Sequence, residues 1–344
     1  MSGHFSPFFA QPGDFEGLPG LYLAHFLDAL PIDADRRRAL LAEANMAPEA
    51  LSGSRRVALS RVLELIEAID RQARPGWHIR PALDMEAAHH GPLGVAVISA
   101  PTVADALATL TRFEAVRAPF VHLQPMSADK TWRARIISTT ATEGPWPVLM
   151  EINLLALAGL IRRLLGAGAN RLRLRMPRCY RPWKRQLLEV LPQQIEIAGA
   201  DYCLAVPGEM LQQACPLADA RLHEDAVARC QSLMAERFDC GPLEAEIRRR
   251  LLADIAHPPT QVDMARALGL SSRSLHRRLG ERGRSYRGLL GEVRAGVAAH
   301  RLRYSRDPVS SIAADLGYQD TANFGRACRR WFGCSPGRLR RGPD

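Results

Sequence analysis

The chain holds 344 residues, 47% of them hydrophobic and 24% charged, with a net charge of +10. At roughly 100–200 residues per domain this is a two-domain length, and the hydrophobic share is enough for sizeable cores. A membrane span is excluded: the longest apolar stretch, Ile152 to Ile161, falls far short of the ~20 residues needed.

Met1 to Ser6 lacks the basic start and apolar run of a targeting segment. The seven cysteines, Cys179, Cys203, Cys215, Cys230, Cys240, Cys328 and Cys334, are odd in number and form no C-x-x-C pair. They read as buried thiols in a reducing, cytoplasmic compartment.

In chain order, helical patterns run over Leu21 to Leu30, Arg36 to Ala44, Val57 to Arg71 and Val103 to Ala115. Strand-like runs are Val95 to Ile98, Phe120 to Leu123, Trp132 to Ser138, Arg171 to Met176 and Tyr202 to Val206. Alternation in Trp132-Arg133-Ala134-Arg135-Ile136 and in Arg171 to Met176 predicts strands with one wet face. The first part of the chain is therefore a mixed α+β domain. Leu222 to Phe238 then reads as a helix, and Asp239-Cys240-Gly241-Pro242 breaks it.

No catalytic residue, cofactor or metal site emerges from this part. Gly91-Pro92-Leu93-Gly94 lacks the Lys and the spacing of a phosphate loop, and no G-x-G-x-x-G follows a strand. His89-His90 is adjacent rather than spaced i, i+4, a poor metal pair better placed in a surface loop. No Ser nucleophile elbow occurs. Small-molecule pockets are mostly apolar with a few polar groups; His122, Trp132, Trp146 and Arg112, polar tips on apolar segments, are the candidate effector contacts, and the same residues fit a core or surface role.

The last ninety residues carry one pattern twice. Ala265 maps to Ala313 and Gly269 to Gly317, each 48 residues on; after a turn one residue longer, Leu275 maps to Phe324. A small residue at a helix contact, with a Gly four residues later in the turn, marks a helix-turn-helix. Thr260 follows Pro258-Pro259 as an N-cap, Val262, Ala265 and Leu268 supply an apolar face, and Ser271 or Ser272 caps the next helix. Tyr286 to Tyr304 is free of Pro and fits one long helix. Some 20 helical residues span ~30 Å, close to the ~34 Å of one DNA turn.

Charge agrees with the motif. Residues 251–344 contain seventeen Arg and no Lys against eight Asp or Glu, net +9 of the whole-chain +10. Such clustering is the footprint of a phosphate-binding surface. On the first recognition helix Arg273, Ser274, His276 and Arg277 point away from Leu275 and Leu279; on the second, Thr321, Asn323, Gly325, Arg326 and Arg329 point away from Phe324 and Cys328. Arg pairs bidentately with guanine and Asn with adenine, while Ser and Thr adapt to either. Arg278, Arg284, Arg303, Arg330 and Arg338 suit phosphate contact or plain solvation.

The run Ile312-Ala313, Gly317-Tyr318, Asp320, Phe324, Arg326, Gly333, Ser335-Pro336 resembles the C-terminal signature of AraC/XylS-type transcription regulators. Ser271, Arg273, Leu275, Arg277 and Leu279 resemble that family's first helix-turn-helix. The resemblance implies an all-α C-terminal domain of seven helices, with Arg273, His276 and Arg277, then Thr321, Asn323 and Arg326, at groove-facing positions. Cys328 stands where the family has an aromatic core residue, and Leu339 replaces another aromatic. Gly91 to Ala96, Ser99 to Leu107 and Pro216-Leu217-Ala218-Asp219 resemble the effector-binding and dimerisation domain of one branch, arabinose-binding in type.

The expected organisation is an effector-binding, dimerising α+β domain over residues 1–215, a connecting helix and linker over 216–247, and a DNA-binding domain over 248–341. The expected function is a promoter-binding regulator responding to a small molecule, an activator acting as a homodimer, with RNA polymerase a candidate partner. Two other classes remain open. One is a ligand-independent DNA-binding and assembly protein. The other is an enzyme fused to a DNA-binding module, which needs a reactive Cys; none of the seven adjoins a His.

Overall fold

The computed structural model describes residues 17–52, 55–126, 131–138, 145–177, 182–192, 194–199, 201–237, 241–304 and 307–341. The chain divides into two compact units, one built on residues 10–137 and 142–233, the other on residues 234–344. Among the described residues no helix is long and apolar enough to cross a membrane.

The first unit pairs β1 (Leu18–Pro19) with β2 (Arg56–Val57), and folds helices α1 (Gly20–Asp28), α2 (Ala34–Glu43), α3 (Leu59–Asp70), α4 (Ile79–Asp84), α5 (Gly91–Ile98) and α6 (Val103–Arg117). There follow β3 (Val121–Met126), β4 (Thr131–Ser138), α7 (Trp146–Leu165), β5 (Arg173–Met176), α8 (Lys184–Val190), β6 (Ile195–Ile197), β7 (Tyr202–Pro207) and α9 (Ala220–Arg237). Five strands form one sheet in the order β3-β4-β7-β5-β6. β7 is antiparallel to β4 and β5, whereas β6 is parallel to β5. The wet-faced alternation holds in β4 as far as Ile136, with Arg133 exposed and Arg135 half-buried while Ala134 and Ile136 are buried.

The centre of this unit is α7, buried along nearly its whole length, and its apolar stretch is a core helix. Gly159 lets α4 approach, since a Cβ there would lie 2.2 Å from the Leu83 carbonyl oxygen. The expected strand over Val95 to Ile98 is instead the end of α5. Pro92 starts that helix, Leu93, Gly94, Ala96 and Val97 are buried, and the helix packs against α6 and α7, so tertiary packing overrides the β preference of Val and Ile. The run from Arg171 begins later than its pattern suggests, because residues Gly166–Arg171 make a 3-10 turn. His90 is 3% exposed rather than on a surface loop.

The second unit is helical: α10 (Gly241–Ala253), α11 (Gln261–Ala267), α12 (Ser272–Gly280), α13 (Tyr286–Tyr304), α14 (Val309–Asp315), α15 (Thr321–Phe332) and α16 (Pro336–Arg341). α13 packs against α10, α14 and α16. Buried Arg301 ties its end to the second repeat, its two Nη groups each 2.6 Å from the carboxylates of Asp307 and Asp315. On α11 the buried residues are Met264 and Ala265; Val262, expected on the apolar face, is 53% exposed. Cys215, Cys230 and Cys328 are buried as expected, but Cys203 and Cys334 are half-buried, and Cys179 and Cys240 lie outside the described residues.

Candidate nucleic-acid interface

The internal repeat reappears as hydrogen bonds. After α11, Leu270 N–H donates to the Ala265 carbonyl at 2.9 Å and Gly269 N–H to Arg266 at 3.1 Å. After α14, Tyr318 N–H donates to Ala313 and Gly317 N–H to Ala314, both at 2.9 Å. These are two Schellman caps in which the glycine takes the left-handed conformation; φ is +65° at Gly269 and +74° at Gly317. The two copies differ in surroundings. A Cβ at Gly269 would meet open space, whereas one at Gly317 would lie 2.2 Å from the Ala256 carbonyl oxygen.

Each recognition helix then starts on a side-chain cap. Ser271 Oγ accepts from Ser274 N–H at 3.0 Å, and Asp320 Oδ1 from Asn323 N–H at 2.6 Å. One face of α12 is buried through Leu275 and Leu279, and one face of α15 through Phe324, Ala327, Cys328 and Trp331. The Tyr318 ring packs on Phe324, centroids 5.4 Å apart, and the Arg294 guanidinium lies 5.1 Å from the Tyr318 centroid. Burial pushes the Cys328 thiol up to about 12, so it packs as a neutral apolar group.

The outer faces carry the sequence-derived candidates. Arg273, His276 and Arg277 are exposed on α12, and Ser274 is half-buried, its hydroxyl 2.8 Å from that of Ser271. Arg277 Nη1 donates to Glu281 Oε1 at 2.5 Å. On α15, Thr321, Arg326 and Arg329 are exposed. Asn323 is half-buried; its Nδ2 donates to Asp320 Oδ2 at 2.8 Å, and its Oδ1 accepts from Arg326 Nη2. The chain Asp320–Asn323–Arg326 thus pre-orients an amide and a guanidinium on one exposed helix face. Arg284 is not simply solvated, being 3.0 Å from Glu292 and 3.8 Å from Glu244.

Sequence reasoning missed Glu281 as a partner of Arg277 and Asp320 as a partner of Asn323. The signals were present: an acid four residues after Arg277, and an Asp at the cap position three before Asn323. Connector α13 has 19 residues and therefore spans about 28 Å.

The candidate effector contacts sit apart in role. Trp146 is 1% exposed and packs edge-on against Phe120 in the core. His122 is buried, its Nδ1 2.7 Å from Glu114 Oε1. Arg112 lies over the Phe113 ring at 4.8 Å, and Trp132 is half-buried on β4. A groove of about 270 Å³ lies between Glu86, Ile98, Arg163, Leu164 and Leu217; none of the four lines it.

A family model described as a helix-turn-helix domain matches residues 264–342, and the arabinose-binding N-terminal domain of AraC transcription regulators matches residues 36–215, more than half of the chain. An uncharacterized HTH-type transcriptional regulator of Mycobacterium tuberculosis is 35% identical over 153 residues, 44% of this chain and 44% of that protein; the match thus spans less than half of the relative. The ornithine utilization regulator of Pseudomonas aeruginosa is 27% identical over 97% of this chain and 99% of its own length. The transcriptional activator RhaS of Escherichia fergusonii is 39% identical over 82 residues, 24% of this chain and 30% of the activator. The crystal structure of the transcriptional regulator CdpR from Pseudomonas aeruginosa aligns with a TM-score of 0.43 at 23% identity, over 91% of this chain and 99% of that one. The chain belongs to the AraC family of transcription regulators.

Proposed function

We propose that the chain is a sequence-specific DNA-binding transcription regulator whose first unit binds a small molecule and dimerises. The observation that carries this reading is the doubled Schellman-capped helix-turn-helix with exposed basic faces on α12 and α15. Arg273, Ser274, His276 and Arg277 read one stretch of major groove, and Thr321, Asn323, Arg326 and Arg329 the next. The length of α13 supports this, being close to one turn of duplex. Domain bounds of 1–215, 216–247 and 248–341 go with this reading.

The effector acts by population shift: it favours the arrangement of the homodimer that engages two half-sites. Activation, with recruitment of RNA polymerase, is supported by the likeness of 82 residues of the chain to an activator. The test is a titration of the full chain against duplex DNA at rising salt. Release of condensed counterions makes phosphate-driven binding fall several-fold per doubling of salt. Binding that ignores salt overturns the reading.

A further inference from the structure

Strands β4 and β5 flank β7, and their register fixes which side chains share the outward face of the sheet. Arg135 and Arg175 both stand opposite Cys203, and Arg133 and Arg173 both stand opposite Ala205. Side chains alternate between faces along a strand, and the intervening Ala134, Leu174 and Leu204 are buried, so the four arginines lie together on the wet side. At the backbone they mark a rectangle about 7 Å long and about 9.5 Å wide. Its floor is two small, half-buried residues, Cys203 and Ala205.

Among the described residues two acids answer these four charges. Arg135 pairs with Asp201 at 3.3 Å, and Arg175 with Glu196 at 3.1 Å. The second pair is about half exposed on both sides, so it is easily exchanged for another anion. Arg173 donates from Nη1 to the Asn170 and Leu172 carbonyls, and among the described residues neither it nor Arg133 meets a carboxylate. The Cys203 thiol is pushed up to about 11 by burial and then by Asp201, against the charges of Arg135, Arg175 and Arg133; three of the four guanidiniums thus act on one point of the floor. The sequence around the face is basic as well. Residues 130–207 hold twelve Arg or Lys against five Asp or Glu, although residues 1–250 together are nearly neutral.

We propose that this sheet face is a second DNA contact, in which Arg133 and Arg173, with Arg135 and Arg175 beside them, grip the phosphate backbone of the duplex outside the two blocks read by α12 and α15. A guanidinium fork matches phosphate oxygens, and phosphate contacts position a protein on DNA without reading its sequence. The outward positions of β4, β7 and β5 carry no aromatic ring on which an unstacked base could lie, so the face fits a paired backbone rather than a single strand. The duplex is also the polyanion that a chain of this family already meets. The inference rests on the reading of the chain as a DNA-binding regulator.

The test is a salt titration of the full chain on a random-sequence duplex of about 60 bp. Arg133→Gln combined with Arg173→Gln weakens binding at least about fivefold at low salt and flattens the slope of log K against log salt by roughly one to two. Arg133→Lys combined with Arg173→Lys keeps the charge and most of the affinity. Arg38→Gln combined with Arg74→Gln, exposed arginines on other elements, removes the same charge and changes binding less than about twofold. Wild-type affinity and slope in the Arg133/Arg173 Gln pair overturn the inference, as does an equal loss from the Arg38/Arg74 pair, which would reduce the effect to net charge. Should the first pair fail to fold, Arg133→Gln alone decides, and an unchanged slope there overturns it. Poly-L-glutamate that binds the wild type but not the Gln pair, with DNA affinity unchanged, gives the face to an acidic protein and also overturns it. A wild type that binds duplex while the Gln pair matches it refutes the sheet contact alone; one that binds no duplex refutes the regulator as well.

Discussion

On the first recognition helix Arg277 is paired with Glu281, one turn along, at 2.5 Å between Nη1 and Oε1. Both side chains are more than half exposed, at 64% and 55%. An exposed pair of this type stabilises the helix by roughly 0.3–0.5 kcal/mol, so it is easily traded for a phosphate or a base. Glu281→Gln should strengthen DNA binding by up to about 1 kcal/mol, because it removes a negative charge from the reading face and releases Arg277. Fluorescence anisotropy at fixed salt checks this, and unchanged or weaker binding would assign Arg277 a role away from DNA.

The second helix differs, because Arg326 leans on Asn323, and Asn323 on Asp320. Arg326→Ala should cost ~1–3 kcal/mol on a cognate site while relaxing preference at one or two bases. Equal loss on cognate and random duplex would make Arg326 a phosphate contact. Asp320→Ala should lower stability by about 1 kcal/mol through loss of the N-cap, and lower specificity through Asn323.

The two turn glycines separate backbone strain from crowding. Gly269→Ala meets only the left-handed conformation and should cost roughly 1–2 kcal/mol. Gly317→Ala adds a clash with the Ala256 carbonyl and should cost clearly more. Urea unfolding of the two variants side by side tests the difference, and equal losses would mean the Ala256 segment gives way freely.

Burial raises Cys203, Cys215 and Cys230 to about 11, and Cys328 to about 12. In the unfolded chain a thiol ionises near 8.5. Below that pH both states keep their protons and the stabilisation is complete; above it the unfolded state loses protons first, so stability falls towards pH 11–12. Tyr286 and Tyr318, raised by burial, act in the same sense. The urea midpoint should therefore be lower at pH 10.5 than at pH 8, and Cys328 should resist thiol reagents at pH 8 until the protein unfolds. Rapid labelling of native Cys328 would contradict its burial.

The DNA-reading unit was legible because its determinants are local. Caps at Thr260, Ser271 and Asp320, and glycines forced to positive φ at 269 and 317, act within a few residues of their position in the chain. The first unit was harder, for physical reasons. Val95 to Ile98 has the residue types of a strand and is a helix because α6 covers it. The short β6 (Ile195–Ile197) gave no signal of its own and exists through pairing with β5. The burial of Arg117 rests on a hydrogen bond to Asn153, 36 residues away, and that of Glu114 on His122, eight residues on. Buried polar chemistry of this sort is written in tertiary contacts, not in spacing.

The central claim is that one chain reads two neighbouring grooves. Selection of duplexes from a random pool by the full chain tests it most directly. The expected result is an enriched motif of two short blocks centred about 10 bp apart, one of which disappears for Arg277→Ala and the other for Arg326→Ala. A single block, or the same motif from both variants and the wild type, would contradict it.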